Sequence, residues 1–250
     1  MNFYFSLLAA PLVAGLLVIA THVPLGMEVL KRGIIFIDLA IAQVAGLGVI
    51  FALLLGWHAG FAIQGAAAVA ATGGAIFLNW TERRWPHVQE ALIGLLFVTA
   101  AAAGILLLAG NPHGGEHLQD LLAGQILWVG WVQLLPVALV YAGVLAIWFL
   151  ARDRLGRIGF YLIFALTVTA SVQLVGVLLV FASLIGPAVA VSALRRPALC
   201  VAYSLGTFAY ALGLTLSALL DLPAGAAIVC CLVLCSFLTL VFIPIEKRPR

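Results

Sequence analysis

The chain has 250 residues, of which 65% are hydrophobic and 8% charged, with a net charge of +3. A water-soluble domain of this length needs far more charge to cover its surface, so the composition excludes one. The small positive excess is no nucleic-acid signal. The apolar runs are also far longer than barrel strands, which leaves a polytopic, all-α membrane protein.

The twelve Lys and Arg fall into five clusters, at 31–32, 83–84, 152–157, 195–196 and 247–250. If every cluster faces the cytoplasm, each gap between them crosses out and back. Spans are then predicted at about 3–20, 34–55, 60–80, 89–109 and 133–150, with two shorter ones inside 158–194. Two more follow at about 198–219 and 224–243. That makes nine spans, N-terminus outside and C-terminus inside, in a single domain over 1–250; with 158–194 the weak count, the fold class is a bundle of about eight to nine transmembrane helices. Segment 158–194 is barely long enough for its two crossings. The opening helix is not expected to be a cleaved signal peptide, because Met1–Phe5 carries no positive charge and further spans follow.

Taken in order, the first helix is expected to end in the breaker Thr21-His22-Val23-Pro24-Leu25-Gly26, ahead of Glu28 and the Lys31-Arg32 pair. Asp38 comes next, about 9 Å beyond Arg32 along a helix and so inside the hydrocarbon. A lone carboxylate at the centre of a membrane helix costs about 2.5–3.5 kcal/mol. It should therefore face protein, water or a cation, which makes Asp38 either a hydrogen-bonded structural group or a station on a transport route. Trp57-His58 marks the outer interface. The third helix, rich in Ala and Gly, is expected to pack inside the bundle. Glu90, at the start of the fourth, lies near the inner rim as a structural or docking group rather than a ligand.

Asn111 to Asp120 is the most polar outer stretch. His113, Glu116 and His117 within it match the His-x-x-Glu-His pattern of one metallopeptidase group. Pro112 and the paired glycines disfavour the rigid helix that chemistry needs. The loop is either a flexible collector for a borderline cation such as zinc or simply solvated. Leu121–Trp131 is too short to span and is expected to be re-entrant or interfacial. The basic turn at Arg152, Arg154 and Arg157 faces inside. Gly186-Pro187 is expected to break a helix at membrane depth. Cys200, Cys230, Cys231 and Cys235 all fall inside helices; Cys231 and Cys235 share a face, and packing as small hydrophobes is favoured over a soft-metal site. Gln43, Gln125, Gln133, Gln173, Thr167, Thr169 and Ser171 are candidate path-lining groups, each more commonly an interhelical hydrogen bond. There is no P-loop, so any ATP hydrolysis belongs to another chain.

Three stretches together resemble the permease subunits of the zinc/manganese class of metal-ion ABC importers. They are Glu28 through Asp38 to Gly48, Glu90-Ala91-Leu92-Ile93-Gly94, and the long stretch Ala165 to Ala227 containing Gly176, Gly186-Pro187 and Leu222-Pro223-Ala224-Gly225. His117 to Trp128 looks like the segment before the middle helix of that family. The resemblance implies a metal-ABC-permease-like bundle in the bacterial cytoplasmic (inner) membrane, working as a homodimer. It also implies two cytoplasmic ATP-binding subunits and a periplasmic or lipid-anchored metal-binding protein. The chain departs from the pattern twice. The family places a His four residues after the membrane Asp, whereas Ala42 stands here with Gln43 one residue on. The inner loop Arg152–Arg157 is also shorter than the family's ATPase-coupling element, so either a basic turn docks the ATPase or the contact lies elsewhere.

The expected function is the transport subunit, not itself an enzyme, of an ATP-driven importer for divalent metal, with zinc the expected ion and manganese or iron the alternatives. Metal would meet His113, Glu116 and His117 outside, then pass Asp38 and Gln43. No covalently bound cofactor is expected. A gradient-driven secondary transporter or channel using Asp38 as its coupling carboxylate is the alternative.

Overall fold

The computed structural model describes residues 2–57, 59–108, 126–194 and 197–242. Among these residues all regular structure is helical. The long helices are α1 (Asn2–Arg32), α2 (Ile37–Leu54), α3 (Gly60–Arg84), α4 (Gln89–Leu108), α5 (Trp131–Ala151) and α6 (Gly156–Val175). They are followed by α7 (Val177–Ala190), α8 (Ala198–Leu220) and α9 (Ala224–Phe242). Three short 3₁₀ turns lie at Pro86–Val88, Ile126–Trp128 and Arg152–Arg154. Eight helices among the described residues are long and apolar enough to cross a membrane, and α7 is a shorter apolar one. The protein is a multi-pass membrane protein.

The helices group into two compact units. In the first, α1 packs on α7 and α8, and α9 packs on the same two. Bare glycines set the spacing: a Cβ on Gly26 would lie 2.0 Å from the Leu184 carbonyl oxygen, and one on Gly213 2.5 Å from the Ile228 Cα. Absent side chains let the backbones approach, the usual route to helix association where lipid removes the hydrophobic drive. The tie between α7 and α8 is a buried hydrogen bond of 2.8 Å between Ser183 and Tyr210.

The expected break at Thr21–Gly26 does not occur; α1 runs on to Arg32. Pro24 has no N–H, so the Ala20 carbonyl loses its helical donor. The Tyr203 hydroxyl of α8 donates to that carbonyl at 3.0 Å and repairs the ladder. Gly26 serves the close approach to α7. The break expected at Gly186-Pro187 is likewise absent, since α7 continues through both to Ala190. The chain interrupts instead at Gly176, whose φ of 83° is open to glycine but strained for other residues.

In the second unit α2 packs on α3 and α4. The expectation that α3 lies inside the bundle holds for one face only. Ala67, Ala71, Gly74, Ala75 and Leu78 are buried, while Phe61, Val69 and Trp80 are exposed. A polar knot joins three helices: Thr81 of α3 donates to the Gln89 side-chain oxygen at 3.0 Å, and the Gln89 amide donates to the Leu78 carbonyl at 3.0 Å and to Tyr161 of α6 at 3.4 Å. Every member is buried, where a satisfied network rigidifies and an unsatisfied one is costly. Tyr141 of α5 and Ser171 of α6 share another buried hydrogen bond. Phe160 stacks on Phe164 at 5.6 Å.

Candidate functional site

Asp38 is held at the beginning of α2. The chain leaves α1 through Gly33, in the left-handed region at φ 66°, and the short turn Ile34–Phe36 re-aims it. The Ile37 N–H donates to the Ile34 carbonyl at 3.2 Å, and Ala40 picks up the helical pattern by donating to the Phe36 carbonyl at 3.2 Å. Asp38 therefore falls in the first turn of α2. It is only 1% exposed, and its carboxyl lies against the N–H groups of Asp38 and Leu39 without either oxygen completing a hydrogen bond. Of the two expectations for this residue, a hydrogen bond to a neighbouring helix is not what the geometry contains. The basic residue before it is engaged elsewhere, with Arg32 bonded to Glu28 at 3.0 Å within α1. An unsatisfied buried group costs about 1–3 kcal/mol, more if charged, so an acidic side chain left this way marks a site for a cation or proton.

A second carboxylate meets the same turn. Glu90, in the first turn of α4, accepts the Phe36 N–H at 3.2 Å, and its other oxygen is buried without a partner. The structural role expected of Glu90 is thus given a form: it caps α2 from another helix.

Ala42 and Gln43 follow from the helix geometry. Ile37–Leu54 is α-helical throughout, with no bulge. Four residues bring Ala42 back over Asp38, where it is 2% exposed. Five residues turn through about 500°, which aims Gln43 about 140° away from Asp38. Gln43 is half-buried.

His113, Glu116, His117 and Gln125 lie outside the described residues, as do 121–125 of the expected re-entrant segment; Ile126–Trp128 forms a 3₁₀ turn. Among the described residues there is no group of three or more His, Cys, Asp or Glu able to hold a metal ion. Arg152, Arg154 and Arg157 are exposed at the turn between α5 and α6, with the Arg152 guanidinium 4.8 Å from the Trp148 ring centre. The hydroxyls of Thr167, Thr169 and Ser171 are buried and bond back to the carbonyls of Ile163, Ala165 and Thr167, one turn earlier on their own helix. Gln133 accepts the Gly130 N–H at 3.1 Å, and Gln173 is exposed. Cys231 is buried, Cys235 half-buried, and Cys200 and Cys230 exposed, all as free thiols.

His22 lies within the stretch Thr21–Gly26, whose pattern reads as a helix breaker. The residue is fully buried in α1, with Nδ1 2.9 Å from the Val18 carbonyl and Nε2 unpartnered. The available signal was the apolar run, which continues on both sides of His22 from Leu16 to Leu25.

With this geometry in place, comparison with known proteins identifies close architectural kin. A model of the ABC 3 transport family matches residues 4–160 and 153–243. The manganese transport system membrane protein MntC of Halalkalibacterium halodurans is 29% identical over 247 residues, covering 90% of this chain and 83% of that protein. The chelated iron transport system membrane protein YfeC of Yersinia pestis is 30% identical over 179 residues, covering 62% of this chain and 58% of that one. Among solved structures, PsaBC from Streptococcus pneumoniae in complex with Fab superposes with a TM-score of 0.74 at 22% identity, covering 96% of this chain and 93% of its counterpart. At that identity the likeness is one of fold.

Proposed function

The chain belongs to the ABC 3 transport family, and on that premise we propose that it is the membrane-spanning subunit of an ATP-driven importer for divalent metal ions in a bacterial inner membrane. The observation that carries this is Asp38, a buried and unpartnered carboxylate in the first turn of a membrane helix. Metal arrives outside near His113, Glu116 and His117, passes Asp38, and is released when an ATP-driven change alternates access. Two ATP-binding subunits dock at the basic turn bearing Arg152, Arg154 and Arg157. A metal-binding protein delivers the ion, and a second copy of this chain completes the channel.

Zinc is the ion expected from the sequence, but two considerations favour manganese. Ala42 withholds the imidazole that would suit zinc, leaving oxygen chemistry at Asp38, which suits a harder cation. The relatives compared are named for manganese and chelated iron. The decisive experiment is metal-stimulated ATPase activity in membranes co-expressing this chain with its ATPase, wild type against Asp38→Asn. Stimulation by Mn²⁺ above that by Zn²⁺, lost in the mutant at unchanged membrane insertion, is the expected result. Zn²⁺ in first place returns the cargo to zinc. Normal stimulation in Asp38→Asn removes Asp38 from the route, and failure to associate with any ATPase revives gradient-driven transport.

A further inference from the structure

An Asp in the first turn of a helix ordinarily turns its carboxylate onto the unpaired N–H groups there, which also favour negative charge. In α2 that happens only in part. The Asp38 carboxyl lies against the N–H groups of Asp38 and Leu39 without either oxygen completing a hydrogen bond, and the N–H of Phe36 at the cap position goes to Glu90 on α4. Two acidic side chains serve one helix end, and the one from outside the helix has taken the capping role. We propose that Glu90 is a positioning residue: by capping α2 across the helix pair, it fixes the first turn and so holds the Asp38 carboxyl, neither oxygen of which completes a hydrogen bond, in place for the passing cation. The α2–α4 packing around this point keeps the division stable, with the Ile93 side chain one turn beyond Glu90 fully buried.

This rests on Asp38 lying on the transport route, and the experiment separates the two. Metal-stimulated ATPase of the full complex is titrated with Mn²⁺ alone for wild type, Asp38→Asn, Glu90→Ala, Glu90→Gln and Phe36→Pro, each normalised to inserted protein. An amide oxygen accepts the same N–H, so Glu90→Gln should keep its KM for Mn²⁺ within about twofold of wild type. Glu90→Ala should raise KM about fivefold, the size of a lost helix cap, with kcat little changed. Phe36→Pro removes the donor while leaving Glu90 in place. It should reproduce most of the Glu90→Ala shift, the Ile35 amide beside it still facing Glu90, and adding Phe36→Pro to Glu90→Ala should change nothing further. Because Phe36 is 47% exposed, that variant reports even if Glu90→Ala fails to insert. Glu90→Gln as impaired as Glu90→Ala would overturn the proposal, since the charge itself would then be needed. So would a wild-type KM in Phe36→Pro. If Asp38→Asn is inactive while the Glu90 variants behave as wild type, the positioning role fails alone. If Asp38→Asn is active, the route through Asp38 fails first.

Discussion

Asp38 and Gln43 sit five residues apart on an uninterrupted α-helix, and that spacing decides whether one ion can meet both. Side chains about 140° apart around the axis cannot converge on a single cation. Gln43→Ala should therefore leave metal-ion uptake within about twofold of wild type, the range of an ordinary interhelical hydrogen bond in a membrane. A tenfold loss, measured as initial uptake rate at equal insertion, would mean that Gln43 contacts the ion from a second chain. Asp38 itself was legible in the sequence because a charge inside hydrocarbon stands out against any apolar background. Glu90 was legible as a rim carboxylate, but its capping contact was not. Its partner is 54 residues away, and no local pattern encodes a bond between two helix ends. His22 was missed for the opposite reason: the proline and glycine beside it suggest a turn.

Helix existence was readable from hydropathy because apolar length is dictated by the bilayer. Helix ends and breaks were less so, since Pro and Gly act through their neighbours in a membrane. Pro24 is tolerated because Tyr203 replaces the lost donor, and Gly26 is there to admit the Leu184 backbone. The same logic yields a prediction at the α2–α3 contact. A Cβ on Gly48 would lie 2.7 Å from the Ala66 carbonyl oxygen and 2.7 Å from the Ala70 Cβ, whereas a Cβ on Gly65 would meet nothing within 4 Å. Gly48→Val should cost about 1–3 kcal/mol by overpacking and lower the melting temperature in detergent by several degrees. Gly65→Ala, gaining helix propensity without a clash, should be neutral or slightly stabilising. Equal melting of the two variants would show that α2 and α3 do not rely on backbone proximity.

For the molecule as a whole, the basic clusters predict sidedness, and α7 is where that rule is most strained. The positive-inside rule expects the sequence clusters 152–157 and 195–196 on the same side, so the chain between them is expected to cross out and back. With 20 residues α6 reaches about 30 Å, enough for the hydrocarbon core. With 14 residues α7 reaches only about 21 Å, about 9 Å short. The turn residues 191–193 and Leu194 follow it, and if the crossing is completed through them, their non-helical backbone needs protein rather than lipid around it. Alkaline phosphatase, active only outside the inner membrane, reads this directly when fused to truncated chains. Fusion after Gly176 should be active and fusion after Pro197 inactive. Activity after Pro197 would mean that α7 does not cross. In that case α8 and α9 would be inverted, and Lys247–Arg250 would sit on the outer face against the positive-inside rule. Inactivity at both positions would place Gly176 inside and mean that neither α6 nor α7 crosses, α6 despite its length.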